Sequence, residues 1–279
     1  MSRRRLGGTV GIAFLLISSS VGAQQRSDRK PDVHFVVTRQ PVVEEMLRLA
    51  GVRKSDIVYD LGSGDGRIVI TAAKRYGARG VGIELDTGLI RRAARKARDA
   101  GVADRVRFLQ QDLFVADISP ATVVTLYLGP VLNLRLRPAL YRSLRPGTRI
   151  VSHGWDMGDW TADARHEADG RKLFFWTMPA NVAGVWRWHA HGTGPQVMRL
   201  EQRYQRVSGT WIRGADTVTI SFARLSGDSV TLRAASRGEA FRFKGRVRGD
   251  AITGIIERSG KPAARWTARR TRAGGAIAE

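Results

Sequence analysis

Within this 279-residue chain, Asp60-Leu61-Gly62-Ser63-Gly64-Asp65-Gly66-Arg67 has the residue types and spacing to do chemistry. Three glycines alternate with small polar residues where an apolar run, 56–61, meets a helical pattern over 67–76. Glycines in such a turn let the backbone fold tightly and a ligand approach it closely. Free N–H groups at the start of the following helix favour anionic groups. Glu84 ends the next apolar run, 80–85, one strand–helix–strand unit further on, where a carboxylate accepts both hydroxyls of a ribose. Asp112 follows the run 106–110 and is placed to accept from an adenine amino group. Asp60 and Asp65 put two carboxylates at the turn, which suits a pyrophosphate poorly. They suit the sulfonium and ammonium of S-adenosylmethionine, with which carboxylates can pair. A nicotinamide-dependent oxidoreductase is the minor alternative, and the bland reading is that Asp60 and Asp112 only cap turns.

The elements that must position these residues alternate. Strand patterns at 56–61, 80–85, 106–110, 123–128 and 148–152 are separated by helical ones at 67–76, 89–97 and around 140–144. This order predicts a parallel sheet covered on both faces. The runs 172–177 and 183–188 read as a closing strand pair. Beyond residue 190 short alternating runs recur between turns such as Gly227-Asp228 and Gly249-Asp250, which predicts a small antiparallel all-β sheet or barrel. The expected domains are therefore 24–190 and 191–279, preceded by a separate segment, 1–23.

The successive strings VYDLGSGDGRIVI, GVGIELD, RVRFLQQDLF and VVTLYL resemble the motifs of the class I S-adenosylmethionine-dependent methyltransferases. DLGSGDGRIVI, Thr38 with the following PVVEEML, and LRPALYRSLRPGTRIVSH are similar to a narrower group. This group comprises the lysine methyltransferases of the mitochondrial adenine nucleotide translocase and of the ATP synthase c subunit, with their bacterial relatives. The resemblance spans roughly residues 35–190. It implies a Rossmann-like seven-strand sheet, S-adenosylmethionine as cofactor and a protein lysine as acceptor. It carries cofactor contacts onto Thr38, Asp60, Gly62, Gly64, Gly66, Glu84 and Asp112, and Ser63 and Asp65 belong to the same loop. An NPPY-type tetrapeptide is missing after the fourth strand, where Tyr127-Leu128-Gly129-Pro130 stands instead.

Methyl transfer requires alignment of the nucleophile, exclusion of water and departure of a proton. Tyr127 and His153, at the ends of the fourth and fifth strands, are the candidate catalytic residues. Trp155, Asp156, Asp159 and Trp160 follow, as an aromatic and acidic mouth for an ammonium or as a loop pinned by buried tryptophans.

The chain has no cysteine, which excludes disulfides, zinc–thiolate centres and thiol nucleophiles. No metal site is expected; His189-x-His191 lacks further ligands. Arg3-Arg4-Arg5, the apolar run 10–16 and Val21-Gly22-Ala23 read as an export signal, with an uncleaved membrane anchor as the alternative. The formal net charge is +22, and residues 191–279 hold 17 basic against 7 acidic residues. Arg242, Lys244, Arg246 and Arg248 alternate with apolar residues there, which suits a solvated face or contact with an anionic membrane or cell-surface polymer. Nucleic acid fits an exported protein less well. Because S-adenosylmethionine is made in the cytosol, an exported non-catalytic binding protein on the same scaffold is the competing reading.

Overall fold

The computed structural model describes residues 35–190 and 194–275. The expected export signal and His191 lie outside the described residues. Alternation between strand and helix produces α1 (Gln40–Leu49), β1 (Ile57–Leu61), α2 (Arg67–Tyr76), β2 (Arg79–Glu84), α3 (Thr87–Asp99) and β3 (Val106–Gln110). β4 (Val123–Leu126), α4 (Pro130–Ser143), β5 (Arg149–His153), β6 (Ala164–Ala168) and β7 (Arg171–Thr177) complete the first unit. The sheet order is β3-β2-β1-β4-β5-β7-β6. Its first five strands are parallel, and β7 runs antiparallel to both β5 and β6. Chain direction across the sheet reverses between β1 and β4, the place where open α/β sheets form their crevice.

Side-chain alternation along the strands builds two cores. Val58, Val123, Val151 and Leu173 pack with α1 and α2 on one face. Tyr59, Leu61, Val124, Leu126, Ile150 and Trp176 pack with α4 on the other. Asp60 and Thr125 are register partners on β1 and β4, so a carboxylate and a hydroxyl meet near the carboxyl ends of the strands.

The closing pair differs from expectation. β6 and β7 form it, joined by Asp169 and Gly170, both at positive φ, as a two-residue hairpin turn requires. β6 is an exposed edge strand without alternation, which hid it from a hydrophobic pattern. The run expected to close the sheet is β8 (Gly184–Ala190), which instead pairs with β9 (Gln196–Arg203) and β15 (Lys261–Ala273). The domain boundary therefore falls between Thr177 and Gly184 rather than at 190. With β10 (Arg206–Arg213), β11 (Asp216–Ser226), β12 (Ser229–Ser236), β13 (Glu239–Arg248) and β14 (Ala251–Arg258), these strands close an eight-stranded barrel. Its interior is filled by Trp186, Trp188, Trp211, Trp266, Phe241 and Phe243.

The helix expected around 140–144 is the last turn of α4, which starts at Pro130 and contains Pro138. Pro130 suits the first turn, whose N–H groups have no partner within the helix.

Candidate active site

The glycine turn follows β1 directly. Gly62, Gly64 and Gly66 have φ of 79°, 53° and 76°, the left-handed region that side chains disfavour. Gly64 N–H donates to Glu84 Oε2 at 2.9 Å, while Leu85 N–H and Asp86 N–H donate to Glu84 Oε1 at 2.7 and 3.0 Å. The end of β2 is thus locked to the turn, and the Glu84 carboxylate is held at one orientation. It retains acceptor capacity, because a carboxylate offers about four lone-pair sites.

A cavity of about 450 Å³ opens above β1, β2 and β4. That volume lies within the usual range for small-molecule sites, about 300–1,000 Å³. Thr38, Asp60, Gly62, Ser63, Asp65, Glu84, Asp112 and Tyr127 line it. Gly64, Gly66 and His153 do not. A Cβ at Gly64 would meet the Phe35 ring at 2.3 Å, and one at Gly66 would meet Phe108 and Ala93 at 2.6 and 2.9 Å. Gly64 thus admits the aromatic wall of the cavity, and Gly66 admits the close approach of α2 to its neighbours.

The two carboxylates of the turn have different fates. Asp60 is buried and accepts from the Thr125 hydroxyl at 2.7 Å. Burial pushes its carboxyl up to about 7, against the Thr125 bond and with help from Glu84 and Asp65. Asp65 is 1% exposed, yet accepts from Arg67 at 2.6 Å and Lys96 at 2.5 Å. Burial opposes its ionisation, but those two cations outweigh it and hold the carboxyl at about 2. The expectation that Asp65 waits for a cofactor cation is therefore corrected: its charge is already neutralised within the chain.

Asp112 turns back to accept from Phe114 N–H at 2.9 Å, shaping the loop after β3. Arg67 also donates to the Thr38 carbonyl at 2.8 Å, which ties the N-terminal segment across the cavity. The Thr38 hydroxyl lies 3.2 Å from His153 Nδ1, and the His153 ring stacks on Tyr127 with centroids 3.8 Å apart. Burial first, and the Arg171 charge second, lower His153 to about 4, so its ring is neutral at physiological pH. His153 therefore stands behind Tyr127 as its support, and only Tyr127 reaches the cavity.

The acidic mouth after β5 does not form as expected. Trp160 is buried and stacks on Tyr204 of the barrel. Asp159 is engaged by Arg137 and Arg203. Trp155 remains exposed, and its carbonyl is anchored by Asn133, whose amide donates at 3.2 Å. The exposed apolar residues Phe35, Val36, Val37 and Val131 belong to segments bordering the cavity.

Several lining residues had not been singled out. Asp86 caps α3 by accepting from Gly88 and Leu89 N–H groups, a signal legible in the Asp-Thr-Gly start of that helix. Phe35, Val36 and Leu132 line the cavity without any motif to announce them.

A family described as the ANTKMT methyltransferase domain matches residues 60–164. A protein-lysine N-methyltransferase of Saccharolobus islandicus is 45% identical over 131 residues, covering 47% of this chain and 81% of the relative. The chain belongs to this methyltransferase family. The enzyme is S-adenosylmethionine-dependent and of class I. The human lysine N-methyltransferase of the ATP synthase c subunit is 33% identical over 158 residues, 57% of this enzyme and 66% of that one. A crystal structure of an RNA methyltransferase from Salinibacter ruber, in complex with S-adenosyl-L-homocysteine, shares 57% identity with a TM-score of 0.50. It covers 51% of this enzyme and 93% of that chain. The residues present fit the cofactor. Beyond the neutralised Asp65, the cavity retains Asp60, Glu84, Asp86 and Asp112, and the Ser63 hydroxyl is buried without a hydrogen-bond partner among the described residues.

Proposed function

We propose that the enzyme transfers a methyl group to the amino group of a protein lysine. The observation that carries this reading is the 45% identity to a protein-lysine N-methyltransferase over most of that relative's length. The apolar segments at the cavity support it, because a lysine stem is four methylenes long and packs against such surface. Glu84 and Asp112 would hold the ribose and adenine, and Asp60 and Ser63 the methionine end, of S-adenosylmethionine. Bound there, the cofactor supplies an electrophilic methyl on a sulfonium. The chain's own part is to align and dry the site. Arg67 and Thr38 fasten the segment that carries Phe35 across it, and His153 fixes the Tyr127 ring beside the approach of the acceptor. The Tyr127 hydroxyl would orient a neutral amine by hydrogen bonding.

The description of the Salinibacter relative as an RNA methyltransferase favours a second reading, in which a base is the acceptor. Incubation with labelled S-adenosylmethionine separates the two. Label on lysines of a protein mixture, lost in Tyr127→Ala, is the expected result. Label confined to RNA would reverse the assignment.

We also propose that residues 1–23 direct export. N-terminal sequencing of the protein from cell fractions should find mature chain beginning at Gln24 outside the cytoplasm. Intact Met1 in the cytosolic fraction would overturn this.

A further inference from the structure

The outer wall of the barrel carries cations that no acid among the described residues neutralises. The ladder registers set Arg248 against Ala251, Ala251 against Arg269, and Arg269 against Arg187. Three exposed arginines therefore share one row across β13, β14, β15 and β8. Strands lie about 4.8 Å apart, so the row spans about 15 Å. Exposed Arg265 and Arg199 extend the strip along β15 and β9. None of these five guanidinium groups has an acidic partner among the described residues. The neighbouring acids Asp228, Asp250 and Glu257 are taken by Arg246, Arg270 and Lys244. Arg269 directly opposite Arg187 is a like-charge cross-strand pair, which destabilises a sheet until an anion bridges it.

We propose that this strip docks the enzyme on an anionic lipid surface. The surroundings favour lipid over nucleic acid. Single-stranded nucleic acid is held by aromatic platforms as well as charge, and Trp186, Trp188, Trp211 and Trp266 all point into the barrel. Beside the cations stand Thr253, Thr267 with the exposed His189 ring hydrogen-bonded to its hydroxyl, and an exposed Ile255 placed between Lys244 and Arg265 in the ladder. An aliphatic tip flanked by cations matches the boundary between headgroups and acyl chains.

The test is sedimentation of the full chain with phosphatidylcholine vesicles, with and without one-third phosphatidylglycerol, at physiological salt. Binding should require the anionic lipid. Each cation near such a surface contributes about fivefold. The triple variant R187E/R248E/R269E should therefore lose at least about 100-fold. R91E/R92E/R95E, which changes the same charge on exposed α3, should retain binding. R187Q/R269Q serves as the milder variant should the triple one fail to fold; it should lose at least about 25-fold. No binding to anionic vesicles, equal losses for the barrel and α3 variants, or preferential strip-dependent binding of RNA would each overturn the proposal.

Discussion

At the residue scale, Asp60 and Glu84 do different work with the same functional group. Asp60 is held near 7 by burial, above the ordinary carboxylate value of 3.8. The folded chain therefore keeps a proton that the unfolded chain loses, and this group's contribution to stability falls as pH rises from about 4 to 7. A cation beside Asp60 favours the carboxylate, so cofactor binding should release a proton near neutrality. Calorimetry at about pH 6.5 in phosphate and in imidazole should give different apparent heats, and Asp60→Asn should remove the difference. Identical heats for the parent would contradict this. Glu84→Ala should weaken S-adenosylmethionine by about 1–3 kcal/mol, the scale of hydrogen bonds to a charged acceptor. Glu84→Gln, which keeps the shape, should lose less; equal losses would mean that Glu84 only braces the turn. His153→Ala should slow turnover more than it weakens cofactor, because it removes the ring behind Tyr127. A change in cofactor affinity alone would count against that role. The pairing of Asp65 with Lys96 was not legible in the sequence, since it joins the glycine turn to the last turn of α3, residues 31 positions apart.

At the element scale, the turn between β1 and α2 is both a binding loop and a packing joint. Gly64→Val would place a side chain at a φ of 53° and against the Phe35 ring. Loss of cofactor binding by at least tenfold is expected, with near-ultraviolet circular dichroism of the barrel tryptophans retained. Unchanged affinity would show that the Phe35 segment moves aside at no cost. The boundaries of α2 and the places of the first five strands along the chain were legible because hydrophobic period and glycine stops agree there, whereas their order in the sheet came from the tertiary structure. The edge strand β6 was not, because it buries almost nothing, and β8 was misplaced because an alternating strand fits a sheet edge or a barrel equally well.

At the scale of the whole molecule, the two units are joined through buried polar groups. Gln202 of β9 accepts from Val182 N–H at 2.7 Å and donates to the Ala180 and Tyr204 carbonyls at 2.9 and 2.6 Å. The same amide nitrogen, its two hydrogens so engaged, lies 3.1 Å from the Tyr141 hydroxyl of α4. Gln202→Leu should cost about 2–3 kcal/mol, because it leaves buried groups unpaired. Chemical denaturation would measure this; a cost under about 0.5 kcal/mol would mean the junction is not cooperative. The sequence by itself determined the α/β sheet, the β-rich second unit, the cofactor and part of the cavity's lining, because these rest on local period, glycine chemistry and motif order. Only the tertiary structure decided that Asp65 is neutralised, that His153 lies behind Tyr127, and that β8 belongs to the barrel. It also decided which arginines share one row. Each of these depends on distant segments meeting, and the distances between them follow from strand register and packing rather than from neighbouring residues.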